Sequence, residues 1–227
     1  MNVELNRIEL IDSLSQRILA ISKSSAVLVG IDGASTAGKT TMAAELESKL
    51  KESGRNVIKV TIDGFNNPRS TRYAKGANSP EGFYKDSYNN EIIINELLKP
   101  LSEGKLEYKP AHFSVDNDTE LNLPTEIATK DSIILIEGIF LFRPELVKYF
   151  DYKIFIEIDL EESKKRAINR PVGKHRIGSE EEITKRYDNR YIPGQIMYYE
   201  EAKPHDVADV IIDNNNIEKP ILKTNKI

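Results

Sequence analysis

The chain has 227 residues, which is room for one domain with insertions or one domain and a small appendage. Apolar residues make up 39% and charged residues 30%, with 10 Tyr, 7 Phe and no Trp, a composition that excludes disorder, collagen and a membrane bundle. The 32 Lys and Arg against 36 Asp and Glu leave a formal net charge of -4, which excludes the broad cationic field of a nucleic-acid binder, and zero cysteines exclude disulfide scaffolds, thiolate zinc sites and cysteine nucleophiles.

Leu5, Ile8, Ile11, Leu14, Ile18 and Ile21 recur at spacings of three or four, which predicts a helix over residues 3–22 that packs on a sheet. Glu4, Glu9 and Asp12 interrupt the apolar run that a signal peptide needs, and no stretch approaches the ~20 apolar residues of a membrane span. A cytoplasmic protein is expected. Residues 26–31, AVLVGI, predict a buried strand, and residues 39–52 a helix with Met42, Leu46 and Leu50 on its apolar face and Gly54 as its stop. Then come a strand over 57–62, a helix over 87–101 and strands over 133–136 and 152–158. Helices over 161–169 and 180–199 and a strand over 207–212 complete the series. Strands separated by helices predict an α/β chain with a parallel sheet covered on both faces. Two excursions break the alternation, residues 64–85 and a small hairpin within 104–126, while residues 214–227 read as a loose tail.

Gly33, Ala34, Ser35, Thr36, Ala37, Gly38, Lys39 and Thr40 fit G-x-x-x-x-G-K-[ST] without a mismatch, between an apolar strand and a helix. The glycines let successive N–H groups curl around phosphate oxygens at a helix N-terminus, Lys39 brings a point charge, and Thr40 a hydroxyl for Mg²⁺. With Thr41 beside them, these residues form the candidate site for a nucleoside triphosphate, taken to be ATP. A chance glycine turn would not account for Lys39 and Thr40. The guanine-selecting Asn-Lys-x-Asp of a GTPase switch has no counterpart, since Asn225-Lys226 lies in the tail.

Ligands of parallel α/β sheets collect beyond the carboxyl ends of the strands, where Asp63 ends VIKVTID and Glu137 ends SIILIEG. An acid there can hold the magnesium shell or take the proton of an attacking hydroxyl; a cap or turn role is the bland alternative.

Four blocks in order, GIDGASTAGKTT, IDGFNNPRSTRYAKGANSPEGFYKDSYNNE, IILIEGIFLFRPEL and RYIPGQIMYYEEAKPHDVADVIIDN, resemble the uridine kinase and phosphoribulokinase group of P-loop kinases, near its bacterial uridine kinase-like branch. The resemblance implies a P-loop kinase fold with a five-stranded parallel sheet, helices on both faces, acceptor-side insertions over 64–126 and an arginine-bearing lid over 165–180. It implies Asp63 as base and a magnesium site of Thr40, Asp63 and Glu137. It also implies ATP-dependent phosphorylation of a hydroxyl, on uridine or cytidine. The chain departs from the group at Asn66, at Asn89 and Ser114 where aspartates are usual, and at Pro171. An amide brings no charge to a ribose diol.

Arg170 and Arg176 are the candidate lid cations for the transferring phosphoryl group, with Arg166 open between lid, substrate contact and solvated helix face. Asn66, Arg69, Tyr84, Asn89, His112, Arg166 and Gln195 are the candidate acceptor contacts, although tyrosines at helical spacing and a lone histidine pack cores as readily. The expected partner is a small hydroxyl compound; a homo-oligomer stays open, and neither nucleic acid nor membrane is expected. Pantothenate, a sugar or a sugar phosphate is the alternative acceptor. A P-loop module that binds ATP without acceptor chemistry is the alternative class.

Overall fold

Alternate residues of the strand Val27–Gly33 enter opposite apolar clusters, Val27, Val29 and Ile31 on one side and Leu28 on the other, so the strand is buried on both faces. The computed structural model describes residues 2–171 and 178–224 and places this strand at the centre of five parallel ones. Their order is Val210–Asp213, Tyr152–Glu157, Val27–Gly33, Ile133–Glu137 and Val57–Thr61. The helices Arg7–Leu19 and Lys39–Lys51 cover one face through Leu10, Leu14, Leu46 and Leu50. The helix Ile192–Ala202 and the helical run ending in Lys99–Ser102 cover the other, with Tyr198, Leu97 and Leu101.

The sheet is wider than expected. Ile221–Thr224 pairs antiparallel with Val210–Asp213 and with Asn2–Glu4, giving seven strands rather than five, so residues 221–224 are not a loose tail. These terminal strands are too short to read locally and exist by pairing, Asn2–Glu4 on Ile221–Thr224 and that strand on Val210–Asp213. The N-terminal helix is correspondingly shorter than expected, starting at Arg7. Asn6 accepts from Glu9 N at 3.0 Å while Glu9 accepts from Asn6 N at 2.9 Å, a reciprocal cap that fixes its start. The run expected over 180–199 is helical, but its middle, Tyr187–Tyr191, is a wide turn. Pro193 follows it, as Pro100 follows the other wide turn, Ile93–Leu98; a proline has no N–H to close the normal ladder. Gly194 lets this helix meet the next layer, since a Cβ there would lie 2.8 Å from the Phe83 ring. No described helix is long and apolar enough to cross a membrane.

The parallel order brings Gly33, Thr61 and Glu137 to one edge of the sheet, on neighbouring strands. The connections from Val27–Gly33 and Ile133–Glu137 leave towards opposite sides, so a crevice opens at this edge.

Candidate active site

Between strand and helix the backbone takes positive φ at Gly33, Thr36 and Gly38. Gly38, at φ 102°, sits where a side chain is strained, and a Cβ would also press to 3.0 Å on Nδ2 of Asn214, which donates to Ala37 O at 2.8 Å. The loop is also tied to the helix Leu160–Ile168. Thr36 Oγ1 donates to Ser163 O at 2.9 Å, and Ser163 Oγ donates to Ser35 O at 2.6 Å. Lys39 is buried and donates to Ala34 O at 2.7 Å. Burial draws its ammonium below the ordinary value, while the charges of Glu137, Asp32 and Asp63 hold it up. Ser35, Thr36, Gly38, Lys39, Thr40 and Thr41 line a cavity of about 910 Å³. Ala34 and Ala37 face the core instead, and Gly33 is still part of the strand, so these three serve the loop through its backbone.

Behind the loop stands a carboxylate that the sequence reading missed. Asp32 is fully buried and accepts from Gly33 N at 2.6 Å, from Phe142 N at 3.1 Å and from the Tyr198 hydroxyl. Burial pushes it up to about 6, against the pull of those donors and of Lys39. Its only signal in the sequence is a charge inside an otherwise apolar strand.

Asp63 lies just beyond Val57–Thr61, in the short turn Ile62–Phe65, and accepts from the Tyr88 hydroxyl at 2.9 Å. Burial first, then the Asp63 charge, pushes the Tyr88 phenol well above its ordinary value and keeps it a donor. Glu137 Oε1 accepts from Thr40 Oγ1 at 3.2 Å. Burial raises the Glu137 carboxyl, Lys39 pulls it down and Asp63 raises it further. Among the described residues no group of three or more His, Asp or Glu is placed to hold a metal unaided. Two carboxylates that oppose each other beside a hydroxyl, with space for phosphate oxygens, are nevertheless a donor set that Mg²⁺ accepts.

A second cavity, of about 780 Å³, adjoins the first. Thr61, Asp63, Ile139, Ser35 and Arg170 line both, so Asp63 and Arg170 stand where the two meet. Four aromatic residues line the second cavity, Phe83, Phe113, Tyr187 and Tyr191, with Phe83 and Tyr191 centred 4.8 Å apart. Asn66, Ser114, Asp116 and Arg186 supply polarity.

Of the candidate acceptor contacts only Asn66 lines this cavity. Tyr84 is fully buried in the core, packed on Phe140 and Tyr198, because its helix presents that face to the sheet. Asn89 caps the following helix, accepting from Ile92 N at 3.1 Å. His112 Nδ1 sits 3.4 Å from Glu96. Arg69 stays on the surface, its N–H donating to Asp118 at 2.7 Å. Gln195 is buried in a cleft with Ala34 and Ser35 behind the phosphate loop. Arg166 lines the first cavity rather than the second and donates to Asn214 O at 2.7 Å and Asn215 O at 2.9 Å. Arg176 lies outside the described residues. Arg190, by contrast, is a buried clamp that donates to the carbonyls of Arg72, Gly76, Ala77 and Ser79.

The family model of the phosphoribulokinase / uridine kinase family matches residues 28–218. A uridine kinase from Chlamydia pneumoniae is 26% identical over 191 residues, covering 83% of this chain and 82% of that one. A uridine kinase from Brevibacillus brevis is 25% identical over 198 residues, covering 86% and 88%. The solved structure of a possible uridine kinase from Bacillus stearothermophilus aligns with a TM-score of 0.73 at 26% identity, covering 90% of this chain and 97% of that one. D-glycerate 3-kinase from Cryptococcus neoformans shares the fold at 15% identity and a TM-score of 0.57, over 90% and 93% of the two chains. The phosphate loop and the matched span agree: this chain belongs to the phosphoribulokinase / uridine kinase family and is an ATP-dependent phosphotransferase.

Proposed function

We propose that the chain transfers the γ-phosphoryl group of ATP to the 5′-hydroxyl of a pyrimidine nucleoside, uridine or cytidine. The observation that carries this reading is the shared wall of the two cavities, where one acid, Asp63, and one cation, Arg170, face both. In the proposed reaction the acceptor hydroxyl attacks the γ phosphorus in line, and the bond to the leaving ADP oxygen breaks. Asp63 takes the hydroxyl proton, while Lys39 and the loop N–H groups hold the leaving phosphates and Arg170 offsets the charge that develops. Thr40, Asp63 and Glu137 would hold Mg²⁺, which supplies charge neutralisation on the phosphates. Most of the acceleration comes from positioning and fixed charge. The aromatic lining suits a flat base, and Asn66, Ser114 and Asp116 suit the polar edges of base and sugar.

A second acceptor, such as pantothenate, a sugar or a sugar phosphate, is favoured by one observation: the Asn89 side chain caps a helix and does not line the second cavity. ADP release from Mg-ATP is to be measured with uridine, cytidine, pantothenate, fructose and no acceptor. Stimulation by the two nucleosides supports the reading; stimulation by another alcohol replaces the acceptor. Release that no alcohol changes leaves an ATP-binding module and overturns the proposal.

A further inference from the structure

The donor cavity is also lined by residues that the second cavity does not share. Glu45 stands one turn after Thr41 on the helix leaving the phosphate loop, and both line the cavity. Arg7, at the start of the helix Arg7–Leu19, lines it from the other side. Its Nε donates to Glu45 Oε2 at 2.8 Å, and its Nη2 stands 2.5 Å from the same oxygen. Arg7 Nη1 is buried and has no hydrogen-bond partner among the described residues. Both arginine contacts fall on Oε2, which leaves Glu45 Oε1 for a ligand.

The place of Arg7 is set by the two ends of the chain. Asn2–Glu4 pairs with Ile221–Thr224, Leu5 N donates to Pro220 O at 3.2 Å, and Lys219 pairs with Glu4 at 3.2 Å. All of these residues except Glu45 lie outside the span 28–218 that the family model matches. What the ends add is a donor, Arg7, beside an acceptor, Glu45, that the helix after the phosphate loop already carries. A vicinal diol is their complement, because each hydroxyl both gives and takes a hydrogen bond. A phosphate is not, since Glu45 would repel it. A carboxylate that reads ribose hydroxyls is the solution used by dinucleotide-binding sheets.

We infer that Arg7 and Glu45 bind the ribose diol of the donor nucleotide, so that the N-terminal helix completes the donor site. This rests on the reading of the first cavity as the ATP site. The competing role is a clamp between two helices, which would not discriminate among ligands.

The test is calorimetric titration of the full chain with the magnesium complexes of ATP, 2′,3′-dideoxy-ATP and tripolyphosphate. Wild type is expected to bind ATP about tenfold more tightly than the dideoxy compound, the scale of one or two net hydrogen bonds. Arg7→Gln and Glu45→Gln should each bring that ratio close to 1 and leave tripolyphosphate binding unchanged. A ratio untouched in both variants, with only the melting temperature lowered, overturns the inference and leaves the donor site standing, as does a wild type that does not distinguish the two nucleotides. A wild type that takes up none of the three ligands overturns the donor reading itself, and this inference with it.

Discussion

The two cavities that meet at Asp63 are built in different ways. The half read as the donor site takes six of its lining residues from one stretch, Ser35 to Thr41. The acceptor half gathers side chains from at least five separated segments: Asn66, Phe83, Phe113 to Asp116, Ile139 and Ile183 to Tyr191. Phosphate is recognised by amides and a helix end together with the Lys39 ammonium and the Thr40 hydroxyl, all fixed by one local turn. An acceptor is recognised by side chains, and these can be exchanged one at a time without loss of the fold. On the proposed reading, one local turn therefore fixes the donor end, whereas the acceptor end depends on side chains brought together only by the fold.

The sharpest way to break this division is at the junction. Asp63→Asn keeps an oxygen for the Tyr88 hydroxyl, so the local fold should survive. Turnover measured as acceptor-dependent ADP release should fall about a thousandfold with KM for ATP within about threefold of wild type. Equal loss in both would show that Asp63 acts chiefly by holding the magnesium nucleotide, not by proton transfer. Arg190→Ala addresses the acceptor half alone. It orphans the carbonyls of Arg72, Gly76, Ala77 and Ser79 and frees the loop before the helix that carries Phe83. A stability loss of about 3 kcal/mol is expected by urea unfolding, with a raised KM for the acceptor and an unchanged KM for ATP.

The same division decides what the sequence discloses. Gly38, Lys39 and Thr40 are legible because one local turn needs all three types at fixed spacing, and Asp63 and Glu137 because strand ends converge in a parallel sheet. Tyr84 is not, because facing a cavity or the core depends on the rotation of a short helix, nor are Asn89 and His112, whose places in a cap and a bend are set by the surrounding fold. Phe113, Ile139 and Ile183 carry no signal as contacts, since an apolar residue on a cavity wall reads like any core residue. The terminal strands were illegible for another reason. Asn2–Glu4 and Ile221–Thr224 lie at opposite ends of the chain, and only the closed sheet reveals that each supplies the other's hydrogen bonds.

A smaller effect should come from pH, through the carboxylate that joins the halves. Asp32 contacts Gly33 at the root of the phosphate loop and Tyr198 on the helix beyond the acceptor wall. Its value in the fold, about 6, lies above the ordinary 3.8, so between those values the folded chain holds the extra proton. The stability this contributes is complete below pH 3.8 and is lost as pH rises through 6, by on the order of 2 to 3 kcal/mol. Glu157 runs the other way: hydrogen bonds from His205 and then Lys223 hold it at about 2, and its contribution is lost as pH falls from the ordinary 4.5. Melting temperature should therefore rise from pH 7 to pH 5 and fall below pH 4. Asp32→Asn should remove the rise and keep the acid limb; a rise that persists would assign it to another group.

The smallest expected effect separates fold from recognition at a single side chain. Asn89 occupies the position where the resemblance sets a sugar-binding aspartate, yet its Oδ1 accepts from Ile92 N at 3.1 Å and opens a helix. Asn89→Ala should cost about 1 kcal/mol of stability, the usual value of an N-cap, with KM for the acceptor unchanged. Asn89→Asp keeps the cap, since a carboxylate is as good an acceptor there and favours the positive helix end. It should restore wild-type stability, and acceptor kinetics should not move. An acceptor KM that rises severalfold in the alanine variant and drops below wild type in the aspartate variant would place Asn89 in the sugar site. The acceptor half would then be as legible in the sequence as the donor half.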